Sequence, residues 1–106
     1  MDASLEKAVK IIVNEIKPDK ILLFGSRARG DYRGESDYDL CIIKEGVEHR
    51  RKLAQRIYRL LYGSGVPVDI IVETPENFDK LKNYPSLIYK EIAKNGKLLY
   101  ERPNNS

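Results

Sequence analysis

Several features that would place a chain in a particular class of protein are scarce or absent here. Cys41 is the only cysteine, so no disulfide can form within the chain, and its apolar surroundings predict packing in the core. His49 is the only histidine and has no partner at metal-ligand spacing, which predicts a surface residue. No secretory signal and no membrane-length apolar run is visible, which predicts a cytoplasmic protein without membrane contact.

The composition suits one small globular domain. The chain has 106 residues, of which 42% are hydrophobic and 33% charged, enough for one hydrophobic core under a charged surface. We therefore predict a single domain over residues 1–106, with a frayed polar tail over residues 101–106. The net charge of +3 is too small to indicate a nucleic-acid partner by itself.

The most informative stretch covers residues 25–40 and reads GSRARGDYRGESDYDL, with an apolar run before it and another at its end. Side chains alternate along a strand, so Asp37 and Asp39 should project from the same face where the second run begins. Two carboxylates this close repel each other unless a cation lies between them. Hard divalent ions such as magnesium take oxygen ligands of this kind and leave positions open for phosphates.

The start of the same stretch has the features of a phosphate-binding turn. Gly25 at a strand end permits a sharp turn and close approach to a ligand, and Ser26 can cap a short helix whose free amides favour phosphate. Arg27, Arg29 and Arg33 add positive charge nearby. A phosphate-binding turn followed by paired carboxylates indicates metal-assisted phosphoryl or nucleotidyl transfer; the alternative is a solvated loop with capping acids.

The pattern around these motifs predicts an α/β (α+β) fold: a small mixed sheet of three or four strands with helices packed against it. We predict helices over 4–17, 47–62, 76–82 and 86–95, a short helix through residue 28, and strands over 20–24, 37–43, 66–72 and 97–100. The loop over residues 30–35 should be mobile above the site, with Asp31 and Glu35 as loop acids and not metal ligands.

With Gly25-Ser26 followed by Asp37-x-Asp39, the chain resembles the DNA polymerase beta-like nucleotidyltransferase superfamily, and in particular its minimal nucleotidyltransferase branch. The resemblance implies an ATP-using enzyme that works with magnesium. In that branch, the minimal protein is the antitoxin of a two-component pair and transfers AMP to a tyrosine of a HEPN-domain ribonuclease toxin. It also implies a third catalytic carboxylate on the following strand, a position that Asp69 matches.

Asp69 is unusual even without the resemblance, because it is an acid within the apolar run 66–72. A buried carboxylate needs a partner. That partner is either a metal already held by Asp37 and Asp39, or a nearby arginine or lysine; exposure at a sheet edge would remove the need. In the first case, three carboxylates would hold two magnesium ions between ATP and the attacking oxygen.

The helix predicted over 47–62 carries a basic face, formed by Arg50, Arg51, Lys52, Arg56 and Arg59. A solvated helix surface is the usual explanation, and a contact surface for RNA or an acidic partner is the alternative.

Three functions follow. The first is AMP transfer to a partner protein, the second is an antitoxin that blocks its partner by contact alone, and the third is nucleotidyl transfer to RNA or a small molecule. Only about thirty residues follow the third predicted strand, which leaves little room for an acceptor-binding domain and suggests that a second subunit completes the acceptor side.

Overall fold

The computed structural model describes residues 1–31, 37–85 and 87–103, and the sheet and helices reported below lie in that part of the chain. In chain order the elements are α1 (Ala3–Ile16), β1 (Lys20–Phe24), α2 (Gly25–Arg29), β2 (Tyr38–Ile43), α3 (Arg50–Leu61), β3 (Val68–Glu73), α4 (Pro75–Leu81), α5 (Ile88–Asn95) and β4 (Lys97–Glu101). The predicted α/β class and mixed sheet are confirmed.

The four strands form one sheet in the order β3-β2-β1-β4. Strand β1 is antiparallel to both β2 and β4, whereas β2 and β3 are parallel. A parallel pair needs a crossover connection, and α3 supplies it. This topology brings the end of β1 and the beginnings of β2 and β3 together at one end of the strands, where the sequence motifs lie.

Helices cover both faces of the sheet. On one face, α1 and α3 bury the larger core, in which Ile12, Leu40 and Ile57 have no exposed surface. On the other face, α4 and α5 cover a smaller cluster that contains Cys41 and Ile92. Full burial of one such aliphatic side chain contributes about 1.5–3 kcal/mol, so the two layers fix the sheet between them.

Local signals explain where several elements begin and end. Asp2 caps α1 by accepting a hydrogen bond from the Leu5 amide at 2.8 Å, and Thr74 caps α4 through the Asn77 amide. Lys17 leaves α1 in the left-handed conformation, with φ of 55°.

Several predicted boundaries differ from the observed ones by one to three residues. Helix α3 begins at Arg50 and not at residue 47. The tail does not fray from Glu101, because that residue belongs to β4 and the Arg102 amide donates to the Asp19 carbonyl at 2.8 Å. Cys41 is buried and His49 is exposed, as predicted.

Some expectations concern residues outside the described part of the chain: the charge of Arg33, the role of Glu35 and the tail beyond residue 103. Among the described helices, none has the length and apolar character needed to cross a membrane.

Candidate active site

Asp39 and Asp69 are direct neighbours across β2 and β3. The parallel register pairs Asp39 with Asp69 and Tyr38 with Val68. Neighbouring strands lie about 4.8 Å apart and paired residues share a face, so both carboxylates project from the side of the sheet opposite Tyr38. Asp37 immediately precedes β2 and is exposed. The fold therefore brings the three predicted acids to one corner of the sheet.

Asp69 is exposed and not enclosed by the apolar strand that carries it. Strand β3 is one of the two outer strands of the sheet, which explains the exposure. Asp69 therefore needs no partner to offset burial in the protein by itself, and its role as a metal ligand stays a prediction.

Gly25 lies directly against the carboxylate of Asp39. Antiparallel pairing places Phe24 opposite Asp39, so the chain turns into α2 beside this acid. Gly25 has φ of +72°, and a Cβ atom added to it would lie 2.2 Å from Oδ2 of Asp39. Glycine is required here for two reasons: the left-handed backbone and the absence of space for a side chain.

Ser26 does not cap α2, contrary to the prediction. The helix begins at Gly25, the N-cap position is Phe24, and Ser26 lies in the first turn. The first amides of a helix have no carbonyl partner within it, so the turn that holds Ser26 presents donors beside Asp39.

The surroundings of Asp39 at this corner raise the pKa of its carboxyl group. Partial burial raises the pKa of Asp39 above its ordinary value of 3.8, and the negative charges of Asp69 and Asp37 raise it further. Arg29 opposes this effect because its positive charge lowers the pKa of Asp39. A divalent cation with oxygen ligands would relieve the repulsion, so the donor chemistry fits magnesium. In the described residues, however, no three acidic, histidine or cysteine side chains converge closely enough to enclose an ion.

The two arginines of α2 lie in different surroundings. Arg29 forms an ion pair with Asp31 at 3.1 Å and another with Glu91 of α5. Arg27 instead lies over the ring of Tyr38, 4.0 Å from its centroid, and so on the face away from Asp39. Of the two, the structure places Arg29 within the electrostatic reach of the acids.

Tyr58 is a site residue that the sequence did not reveal. Its hydroxyl donates a hydrogen bond to Oδ1 of Asp69 at 3.1 Å and accepts one from the Ile70 amide at 2.8 Å. Tyr58 belongs to α3, and no spacing rule connects a helix residue with a particular residue of the next strand. Only the packing of α3 against β3 could identify it.

The basic face of α3 is partly engaged within the protein. Arg50 pairs with the buried Glu73, and Arg56 donates to the Glu15 carbonyl. Arg51, Lys52 and Arg59 are exposed. This arrangement agrees with a solvated helix surface, and the RNA alternative stays a prediction.

The fold and this corner define a class of protein. The chain belongs to the nucleotidyltransferase domain family, whose model matches residues 5–99, and it is a nucleotidyltransferase. One relative, provisionally named a protein adenylyltransferase, comes from Methanocaldococcus jannaschii and is 38% identical over 101 residues, which span 90% of this chain and 97% of the relative. A second, the protein adenylyltransferase MntA of Aphanizomenon flos-aquae, is 26% identical over 87 residues, or 80% of this chain and 58% of the relative.

Solved structures agree on the fold. A toxin–antitoxin complex with AMP-PNP contains a chain that matches with a TM-score of 0.60 and 24% identity, over 92% of this chain and 73% of that chain. A complex of a tri-AMPylated Shewanella oneidensis HEPN toxin with its MNT antitoxin matches with a TM-score of 0.55 and 21% identity, over 93% and 71% of the two chains. At these identities the likeness establishes the nucleotidyltransferase fold.

Proposed function

We propose that this protein is the antitoxin of a toxin–antitoxin pair and that it transfers AMP from ATP to a tyrosine hydroxyl of a HEPN-domain ribonuclease. The observation that carries the proposal is the contact of Gly25 with Asp39, beside the paired Asp69. A phosphate-binding turn against paired carboxylates suits the transfer of a nucleotide. The relatives named as protein adenylyltransferases support a protein acceptor.

The nucleotide would lie between the α2 turn and the three acids. Gly25 and Ser26 would bind the triphosphate through backbone amides, because the turn excludes a side chain at the first position. Arg29 would exchange its pairs with Asp31 and Glu91 for a phosphate oxygen. Arg27 would stabilise the turn through its contact with the ring of Tyr38, and Arg29 would be the arginine that binds the phosphates.

Asp37, Asp39 and Asp69 would hold magnesium, and two ions match the number of carboxylates. When bound, magnesium supplies neutralisation of phosphate charge and a lower pKa for the attacking hydroxyl. The raised pKa of Asp39, which reflects its burial and the charges of its two acidic neighbours, supports this assignment.

Asp69 would orient the acceptor, because it is the exposed acid on the outer strand and so faces an approaching partner. The acceptor oxygen would form a bond to the α-phosphorus as the bond to pyrophosphate breaks. Asp69 would accept the hydroxyl proton, and Arg29 would stabilise the departing pyrophosphate. ATP and magnesium are both available in the cytoplasm, where we propose that the protein acts.

The test is transfer of label from α-labelled ATP, with magnesium, to the protein that co-purifies from the native host. The Asp37→Asn/Asp39→Asn protein is the matched control, because it keeps the shape of both side chains and removes their charge. Label on the co-purifying protein with the wild type, and none with the variant, supports the proposal. If the double variant neutralises the partner as well as the wild type does, the protein acts by contact alone.

A further inference from the structure

The hydroxyl of Tyr58 bridges the carboxylate of Asp69 and the backbone of the next residue. It receives the Ile70 amide hydrogen at 2.8 Å and lies 3.1 Å from Oδ1 of Asp69. An amide can only donate and an ionised carboxylate can only accept, so the hydroxyl hydrogen must point at Oδ1. The direction of both hydrogen bonds is therefore fixed by chemistry.

This bridge restricts an otherwise free side chain. Asp69 is exposed on the outer strand, where a carboxylate would sample several rotamers. Tyr58 is held by α3, whose Ile57 and Leu61 are buried in the larger core. The hydroxyl is thus anchored by a packed helix on one side and by the strand's own amide on the other.

We propose that Tyr58 is the positioning residue for Asp69: it occupies Oδ1 and leaves Oδ2 to face the acceptor hydroxyl. This inference rests on the proposed function, in which Asp69 orients the acceptor. The second hydrogen bond, from the Ile70 amide, keeps the hydroxyl in this position beside Asp69.

Loss of the Tyr58 hydroxyl should slow turnover without weakening the binding of ATP. Tyr58 contacts the acid that orients the acceptor and not the α2 turn that would bind ATP. Tyr58→Phe should therefore lower kcat by about 10–100-fold, the usual cost of removing a group that orients a metal ligand. The KM for ATP should change by no more than about twofold, because the lost interaction does not contribute to nucleotide binding.

The matched control is Tyr62→Phe, which removes the same hydroxyl one helical turn later, from a side chain that is 90% exposed. Transfer from α-labelled ATP to the co-purifying protein gives kcat and KM for all three proteins. Electron paramagnetic resonance of Mn²⁺, titrated in the presence of α,β-methylene-ATP, gives the affinity of the acids for metal without any turnover. Thermal unfolding of each protein separates a folding defect from a kinetic one.

Support consists of a lower kcat with an unchanged KM for ATP, and weaker binding of Mn²⁺, in Tyr58→Phe only. Wild-type rates in Tyr58→Phe, or equal loss in both variants, would overturn the inference. So would an AMP adduct located on Tyr58 by peptide mass spectrometry of the wild type, because Tyr58 would then be an acceptor. Should the wild type itself transfer nothing, the proposed function fails, and the Mn²⁺ titration alone decides the role of Tyr58.

Discussion

The Oδ2 atom of Asp39 occupies the space that a side chain of Gly25 would need: a Cβ atom at this glycine would lie 2.2 Å from it. Gly25 directly follows Phe24, the last residue of β1, which pairs with Asp39 of β2. The turn proposed to bind phosphate and the carboxylate of Asp39 are therefore in direct contact, and a side chain added at Gly25 must displace Asp39.

Gly25→Ala should abolish most of the activity. The new methyl group must displace Asp39, and a shift of about 1 Å in a reacting group can cost about 100-fold in rate. The backbone, at φ of +72°, adds a destabilisation of about 1–2 kcal/mol. Gly46→Ala is the control, because Gly46 has φ of +74° and no described atom within 4 Å of the added Cβ. The rate of label transfer should fall in Gly25→Ala only, whereas urea unfolding should show the backbone penalty in both variants. Equal transfer rates in the two variants would refute the steric argument.

Asp39→Asn should stabilise the metal-free protein at neutral pH by about 0.2–1 kcal/mol while transfer is lost, because it removes one of two like charges directly opposite each other. Burial, Asp69 and Asp37 raise the folded-state pKa of Asp39. The stability that this group contributes is thus fully present below its ordinary value of 3.8 and is lost as pH rises through the folded pKa. The advantage of the variant should grow over that window in urea unfolding at a series of pH values.

The control for this experiment is Asp79→Asn. Asp79 pairs with Lys82 at 2.7 Å, and that hydrogen bond lowers its pKa, so its removal should give no stabilisation. Addition of magnesium should stabilise the wild type more than Asp39→Asn. If Asp39→Asn is no more stable than the wild type at neutral pH, the three carboxylates do not repel one another measurably.

Arg29→Gln should raise the KM for ATP by about tenfold, the effect of losing one charge-assisted hydrogen bond. Arg27→Gln should change the KM much less, because Arg27 lies over the ring of Tyr38 on the other face of the sheet. Its main effect should be a loss of about 0.5–1 kcal/mol of stability. Initial rates against ATP concentration distinguish the two variants, and the opposite order of KM values would reassign the phosphate contact to Arg27.

Glu73→Gln should destabilise the protein by about 1–3 kcal/mol and leave transfer unchanged, because a buried group loses hydrogen bonds at the end of β3 far from Asp69. Glu73 has no exposed surface and accepts hydrogen bonds from Arg50, from the Tyr89 hydroxyl at 2.8 Å and from the Thr74 amide at 2.9 Å. Burial acts to raise the pKa of Glu73, but these donors together outweigh it and hold the pKa below the ordinary value of 4.5.

The same experiment has a pH signature. A lowered folded pKa gives stability that is present above 4.5 and is lost as pH falls through the folded value. The Gln variant should lack that part of the acid-induced loss, whereas Glu76→Gln, at an exposed position of α4, should behave as the wild type. The melting temperature of each protein, measured over a series of acidic pH values, gives the comparison. A curve for Glu73→Gln that runs parallel to that of the wild type would contradict the lowered pKa of Glu73.

Cys41 should be unreactive in the folded protein. Burial raises the pKa of its thiol to about 12, with a further contribution from the charge of Glu73, and only the thiolate reacts with alkylating reagents. Iodoacetamide followed by mass spectrometry should give no adduct in buffer and one adduct in denaturing urea. Rapid labelling of the native protein would indicate that the sheet opens at β2.

The sequence by itself determined the parts of the site that depend on local geometry. Alternation along a strand placed Asp37 and Asp39 on one side, and a glycine at a strand end identified the turn beside them. The presence of most helices and strands and the burial of Cys41 followed from periodicity and composition in the same way. These properties involve residues within a few positions of one another, so the chain encodes them directly.

Tertiary structure alone decided which distant residues meet. The parallel register sets Asp69 beside Asp39, the position of β3 at the sheet edge exposes Asp69, and the packing of α3 against β3 brings Tyr58 to it. The two arginines of α2 also lie in different surroundings, Arg27 over the ring of Tyr38 and Arg29 near the acids. Register and edge position result from how two apolar layers close over the sheet as a whole, and no short stretch of sequence contains that information.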